Sequence, residues 1–256
     1  MRESAFYLIH LMSCALNDVQ PCSLPEGASW DEVYALAEFN SVEGLAWTSA
    51  RRVRDVPADM LKEWSATADM TLYRCVSYGI EREAVLAALA DRGLSWLPLK
   101  GALLVDLYPS PHMRSMADND ILYGFVEEDP AGGFRICGGY RKPTASALRR
   151  APVRVAVEVM EARGYRTISK TAGNHESFVK NPHFNFELHR RLVSPSSPQA
   201  AYYHNPWQRA VPVRLDSNAA EGEASDAGRG RKGDGSIASR TDDFYLHLGF
   251  ACFQAL

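Results

Sequence analysis

Two aspartates separated by one residue, Asp118-Asn119-Asp120, stand at the head of a segment that reads as a β-strand over residues 116–125. Strand side chains alternate, so the two carboxylates share a face about 7 Å apart. At that spacing they repel one another unless a cation lies between them. Mg²⁺ prefers such hard oxygen ligands and keeps room for substrate phosphates. An isolated D-x-D is more often a solvated turn, so the pair needs support from elsewhere in the chain. Lys100-Gly101 closes one strand and opens a helix ahead of the aspartates. A glycine there lets backbone N–H groups approach a phosphate, and a helix N-terminus favours the negative charge. Glu187 sits on a later strand whose other face is apolar, and it offers a third carboxylate. Arg114 lies just before the aspartates, placed to meet phosphate oxygens or to brace the site. His189 projects on the same side as Glu187. Contact with a phosphate or a carboxylate and a structural bond to nearby backbone are both open to it.

These residues need a sheet to carry them. The segment 94–99 is short and apolar and reads as the first strand, and the helix after Gly101 runs to Tyr108, where Pro109 and Pro111 end it. Residues 127–145 hold four glycines and two prolines, which predicts a loop or flexible hairpin. Pro152 suits a first helical position, and Gly164 a C-terminal cap. Residues 165–169 and 177–180 read as short strands. Residues 184–192 form a stronger one, with Phe184, Phe186 and Leu188 on one side and Asn185, Glu187 and His189 on the other.

Upstream, residues 1–93 read as helical. Leu8, Leu11, Met12, Ala15 and Leu16 share one helical face. Ser29-Trp30-Asp31-Glu32 has capping-box spacing, and a further helix fits residues 42–53. A long helix follows over about 59–92, with a break expected near Gly79. Its buried face is expected to carry Ile80, Ala84, Val85, Ala88 and Leu89. Residues 217–240 have almost no apolar content to offset ordering entropy, which predicts disorder. Residues 241–256 read as the start of a further C-terminal helical segment. The domain reading is therefore 1–93 helical, 94–216 α/β core, 217–240 flexible loop and 241–256 helical.

Composition narrows the function classes. The chain has 256 residues, 46% hydrophobic and 23% charged, with a net charge of −3. That balance suits a globular core and disfavours a long nucleic acid as partner. Five widely spaced cysteines, with no C-x-x-C pair, argue against a disulfide framework or a structural zinc site and predict a cytoplasmic setting. His175 and His183 flank Glu187 at spacings unhelpful for zinc, and neither reads as a ligand. His112, in a proline loop, is expected to be exposed. No apolar run is long enough to span a bilayer, and the N-terminal stretch reads as an amphipathic helix rather than a signal peptide.

The motifs together resemble a known family. Leu99-Lys100-Gly101-Ala102-Leu103-Leu104, then Leu107-Tyr108-Pro109-Ser110-Pro111, then Arg114 through Leu122 with its D-x-D, are similar to the uncharacterised nucleotidyltransferase family of the DNA polymerase β-like superfamily. Gly164-Tyr165 and Phe186-Glu187-Leu188-His189 resemble later steps of that pattern, and His247 sits in a helix of similar pattern. The resemblance implies an α+β fold, with a small mixed β-sheet flanked by helices and a helical N-terminal domain. It also implies transfer of a nucleoside monophosphate from a nucleoside triphosphate to an unidentified small-molecule or protein acceptor. Asp118, Asp120 and Glu187 would then be catalytic and hold Mg²⁺ (or Mn²⁺), while Lys100, Gly101, Arg114 and His189 would bind the nucleotide. For two bridged ions to span the trio, Glu187 must lie within about 10 Å of the aspartates. A weakly active or inactive member that binds a nucleotide or a partner through the same cleft is the alternative, and an interaction protein that uses the sheet only as a scaffold is a third reading. Two departures stand out. The wider superfamily usually carries glycine-serine at Lys100-Gly101, although the nearer family shares the lysine. The residue between the aspartates is usually apolar, and here Asn119 should point into the packed face, where an unpaired amide costs about 1–3 kcal/mol.

Overall fold

The computed structural model describes residues 1–137, 146–169, 173–212 and 237–239. Two compact units emerge: 1–80 with 103–117, and 81–102 with 118–256.

The first unit is helical. It holds α1 (Arg2–Leu16), α2 (Trp30–Phe39), α3 (Glu43–Ala50) and the leading part of α4 (Ala58–Asp91). Its core gathers Tyr7, Leu8 and Leu11 of α1 with Trp30, Val33, Ala46, Ala50 and Trp64. The α1 stripe is shifted from the expected one. Tyr7 is buried and Leu16 is exposed, because the face turned inward runs through positions 4, 7, 8, 11, 14 and 15. Ser29 caps α2 as its spacing predicts, its Oγ accepting from the Glu32 N–H at 3.2 Å. The reciprocal half of the box is different: the Ser29 N–H donates to Ser4 Oγ at 3.2 Å. His112 is half-buried rather than exposed, held between Thr48 Oγ1 at 2.9 Å and Ser110 Oγ at 2.8 Å. Burial and the nearby Arg51 charge keep its pKa below the usual histidine value.

The expected break near Gly79 is absent, and α4 is continuous over 34 residues. A glycine costs a helix interior about 0.5–1 kcal/mol relative to alanine, too little to break one held by packing on both sides. Ile80 is exposed rather than buried, and Val85, Leu86 and Leu89 supply the packed stripe.

The second unit is built on a five-stranded sheet ordered β1 (Ser95–Pro98), β2 (Asn119–Gly124), β7 (Phe184–His189), β6 (His175–Lys180) and β5 (Arg166–Ser169). All neighbours are antiparallel except β2 and β7, which run parallel. Period-two alternation sorts the sheet into two faces. Trp96, Ile121, Tyr123, Phe178, Phe186 and Leu188 bury one face against Val85, Leu86 and Leu89 of α4 and Val155, Ala156, Val159 and Met160 of α6 (Ser146–Ala162). Leu97 and Leu122 occupy the other, beneath Trp207, Ala210 and the hairpin of β3 (Val126–Glu128) and β4 (Phe134–Ile136).

Several boundaries differ from the sequence reading. The second strand begins at Asn119, not Met116, so Asp118 immediately precedes it. The strand expected over 184–192 ends at His189, where the Arg190 N–H turns to the Asn174 carbonyl at 2.8 Å. Pro152 lies inside α6 rather than at its first position, since the helix starts six residues earlier. The hairpin expected in 127–145 is partly seen as β3–β4, while Gly138, Gly139 and the rest of that stretch to 145 lie outside the described residues. Within the segment expected to be disordered, Ile237–Ser239 forms β9 and pairs antiparallel with β8 (Ala210–Pro212), while residues 217–236 and Arg240 lie outside the described residues. The expected C-terminal helical segment, including His247, lies outside the described residues. Cys14 and Cys75 are buried, but Cys22 and Cys137 are exposed. No helix of the described residues is long and apolar enough to cross a membrane.

Two glycines test this packing. A Cβ on Gly44 would lie 1.9 Å from the His112 carbonyl oxygen, whereas one on Gly79 meets nothing within 4 Å. Gly44→Ala is expected to destabilise by at least about 2 kcal/mol through overpacking, and Gly79→Ala to stabilise by about 0.5–1 kcal/mol. Urea unfolding midpoints of both variants check the pair.

Candidate metal centre

The face of the sheet away from the helices carries the polar residues singled out by their spacing. Parallel pairing sets Asp120 opposite Glu187 and Leu122 opposite His189. Antiparallel pairing on the other side of β7 sets His175 opposite His189. Asp120, Glu187 and His189 therefore form a polar strip across neighbouring strands, and it ends at His175 on β6.

Asp118, Asp120 and Glu187 each present a carboxylate oxygen within 4.8 Å of the others. That lies well inside the roughly 10 Å limit for a trio spanned by bridged ions. Asp120 is buried, while Asp118 and Glu187 are half-buried. Burial, together with the charges of Asp120 and Glu187, pushes the Asp118 carboxyl above the usual aspartate range. Asp120 goes the other way. Burial alone would raise its pKa, but hydrogen bonds from His189 and Lys100 hold it below the usual value. Both donors converge on Asp120 Oδ1: Lys100 Nζ at 2.8 Å and His189 Nε2 at 2.8 Å. Burial pulls the Lys100 ammonium down, but its bond to Asp120 and the charges of Asp120, Glu187 and Asp118 together outweigh this, so it titrates above the ordinary lysine value. Three carboxylates with one lysine and one histidine leave local negative charge unmatched, and hard oxygen donors so placed fit Mg²⁺ or Mn²⁺.

The turn before the aspartates is made differently from the sequence reading. Lys100 itself takes the left-handed backbone, with φ of 45°. Its helix, α5 (Lys100–Leu104), has only five residues and continues as a single 3₁₀ turn over Val105–Leu107, shorter than the helix expected to reach Tyr108. Gly101 is buried in its first turn. Arg114 follows a 3₁₀ turn over Pro111–Met113 in the first unit, and its Nε is buried without a hydrogen-bond partner among the described residues.

Asn119 faces the helix-packed side, as its place between the aspartates predicts, and is fully buried. Its Oδ1 accepts from Arg82 of α4 at 3.5 Å, a long contact, and its Nδ2 has no partner among the described residues. His175 is the residue that sequence spacing missed. It comes within 3.9 Å of Glu187, Nε2 to Oε2. Its direct cross-strand neighbour is His189, fourteen positions along the chain, and only the β6–β7 register reveals the pairing.

A mixed sheet with helices on one face and a D-x-D pair plus a third carboxylate on the other is nucleotidyltransferase-like in architecture. Residues 26–125 match the sequence model of a family described as uncharacterised nucleotidyltransferase, which bears out the resemblance read from the motifs. The matched stretch takes in Lys100, Gly101, Arg114, Asp118 and Asp120 and stops before Glu187 and His189. No curated protein and no solved structure matches the chain.

Asn119→Val removes the orphaned amide. The expected result is a gain of about 1 kcal/mol in unfolding free energy, read from urea denaturation, with the Arg82 head group turning to solvent. A loss of similar size would show that the amide is paired.

Proposed function

We propose that the protein is a metal-dependent nucleotidyltransferase that moves a nucleoside monophosphate from a nucleoside triphosphate to a small-molecule or protein acceptor. The observation that carries this reading is the convergence of three acidic oxygens within 4.8 Å from Asp118, Asp120 and the distant Glu187. The family match over residues 26–125 supports the same class.

In this reading Asp118, Asp120 and Glu187 hold Mg²⁺ or Mn²⁺. When bound, the ion supplies charge neutralisation for the triphosphate and for the departing pyrophosphate. The remaining work falls to the chain. Lys100, already charged beside Asp120, meets phosphate oxygens. His189 keeps the Asp120 carboxylate oriented and ionised, a positioning role, and lies at the edge of the nucleotide subsite. Gly101 completes the phosphate contacts, and Arg114 is a further candidate only from its place just before the aspartates in the sequence. An acceptor hydroxyl or amine attacks the α-phosphorus, and its proton passes to the Glu187 carboxylate. The bond from the α-phosphorus to the bridging oxygen breaks, and pyrophosphate leaves with that oxygen and its electron pair. The acceptor is a small molecule or a protein rather than a long nucleic acid, in keeping with a net charge of −3.

One observation favours a second reading, a non-catalytic nucleotide-binding module on the same sheet. Both Lys100 and His189 are already spent on one oxygen of Asp120, which lowers the demand of that carboxylate for a cation.

The test is incubation with each labelled nucleoside triphosphate, Mg²⁺ or Mn²⁺ and a cell extract, followed by mass identification of labelled products. Metal-dependent labelling with pyrophosphate release is expected. It should fall by at least about 100-fold in Asp120→Ala, the scale seen when one preorganised electrostatic group is lost, and vanish in the triple alanine variant at 118, 120 and 187. Nucleotide binding that persists unchanged in the triple variant, with no labelled product from the wild type, would select the binding module instead.

A further inference from the structure

Beside the carboxylate trio lies a second convergent set of different chemistry. His175, Glu187 and His189 each offer one ligand atom, all within 4.8 Å of one another. His189 Nε2 is 3.5 Å and His175 Nε2 3.9 Å from the same oxygen, Glu187 Oε2. Two ligands bound about 2.1 Å from a single tetrahedral zinc lie about 3.4 Å apart, so these atoms are near the spacing that one ion imposes. The imidazoles are 4.9 Å apart at their centroids and tilted by 46°, and so are not stacked flat against each other.

The backbone explains why the three meet. His175 and His189 are direct cross-strand partners on β6 and β7, and Glu187 is two residues from His189 on the same face of β7. Three adjacent sheet positions thus aim three donors at one volume, on well-paired strands rather than on loops. Exposure grades across the set: the His189 side chain is 10% exposed, Glu187 25% and His175 38%. The inner ligand is fixed by the sheet and the outer one opens to solvent, which leaves an entry path and free coordination positions.

We propose that His175, Glu187 and His189 form a site for a borderline divalent transition ion of the Zn²⁺ class, distinct in chemistry from the carboxylate trio but sharing Glu187 with it. Two imidazoles and one carboxylate prefer such ions over Mg²⁺, which seeks an all-oxygen shell. Glu187 is the hinge between the two sets, and Asp120 is the counterpart to His189 when the histidine is not a ligand. An ion on the histidine side therefore draws Glu187 away from Asp118 and releases Asp120 from His189. The site does not depend on nucleotidyl transfer for its existence.

The experiment uses the full chain, made free of metal with a chelator and then titrated with Zn²⁺ against a chromophoric competitor. Co²⁺ serves as a visible-spectrum reporter of the ligand set. Wild type is expected to bind one Zn²⁺ with high affinity and to give Co²⁺ bands characteristic of nitrogen ligation. His175→Ala and His175→Gln should each weaken Zn²⁺ by at least about 100-fold, since loss of a direct ligand exceeds the 10–100-fold effect of losing an outer-shell partner. Asp118→Ala should leave Zn²⁺ affinity within about threefold of wild type, because Asp118 is not in the set. Equal affinity in wild type and both His175 variants would overturn the proposal. So would an equal loss in Asp118→Ala, which would place the ion on the carboxylates. No nucleotide enters the titration, so absent labelling with intact zinc binding would sink only the transferase reading.

Discussion

The parallel pairing of β2 with β7 is the constraint on which the chemistry rests. It sets Asp120 directly opposite Glu187, bringing together two residues 67 positions apart in the chain. No turn or helix could do this locally. Two like charges on adjacent strands cost free energy, and the sheet carries that cost because Lys100 and His189 both donate to Asp120. The acidic strip is thus neutralised only at Asp120, and it is held by strands whose other face is packed on α4 and α6.

The alternation of side chains divides labour between the two faces. Residues 119, 121 and 123 face the helices, while 120 and 122 face away from them. Asn119 is the awkward member of the first group, a polar residue among buried apolar ones. Its carbonyl finds Arg82 at the limit of a hydrogen bond and its amide nitrogen finds nothing among the described residues. A second buried polar group on that face is better provided for: Glu176 accepts from Tyr123 Oη at 2.8 Å and pairs with Arg190 at 3.0 Å. The contrast shows that the helix-packed face tolerates charge where partners are complete.

Much of this was legible in the sequence, for identifiable reasons. Strand β7 announced itself through the alternation of Phe184, Phe186 and Leu188 with Asn185, Glu187 and His189. The D-x-D pair and Lys100-Gly101 were visible because their chemistry depends on short spacings. Helix α2 was marked by Ser29 and Glu32, whose capping bond is local. What escaped depended on register or on tertiary burial. His175 looked remote from His189 until β6 folded back on β7. His112 looked like a loop histidine, yet Thr48, far away in sequence, helps bury it. Gly79 and Pro152 carry strong local preferences, and packing and the continuity of the helices overrode both. Ile80 was assigned to the wrong face of α4 because hydrophobicity alone does not say which stripe a long helix turns inward.

Lys100 occupies a left-handed backbone position that glycine adopts freely and other residues adopt at a cost of about 1–3 kcal/mol. The side chain and the backbone at this bend therefore ask for different amino acids. A chain selected only for robustness would place glycine there and lose the cation beside Asp120. Keeping lysine means that a local conformational penalty is tolerated for the sake of charge. Resilience to heat and competence at the acidic strip are consequently set against each other at a single residue.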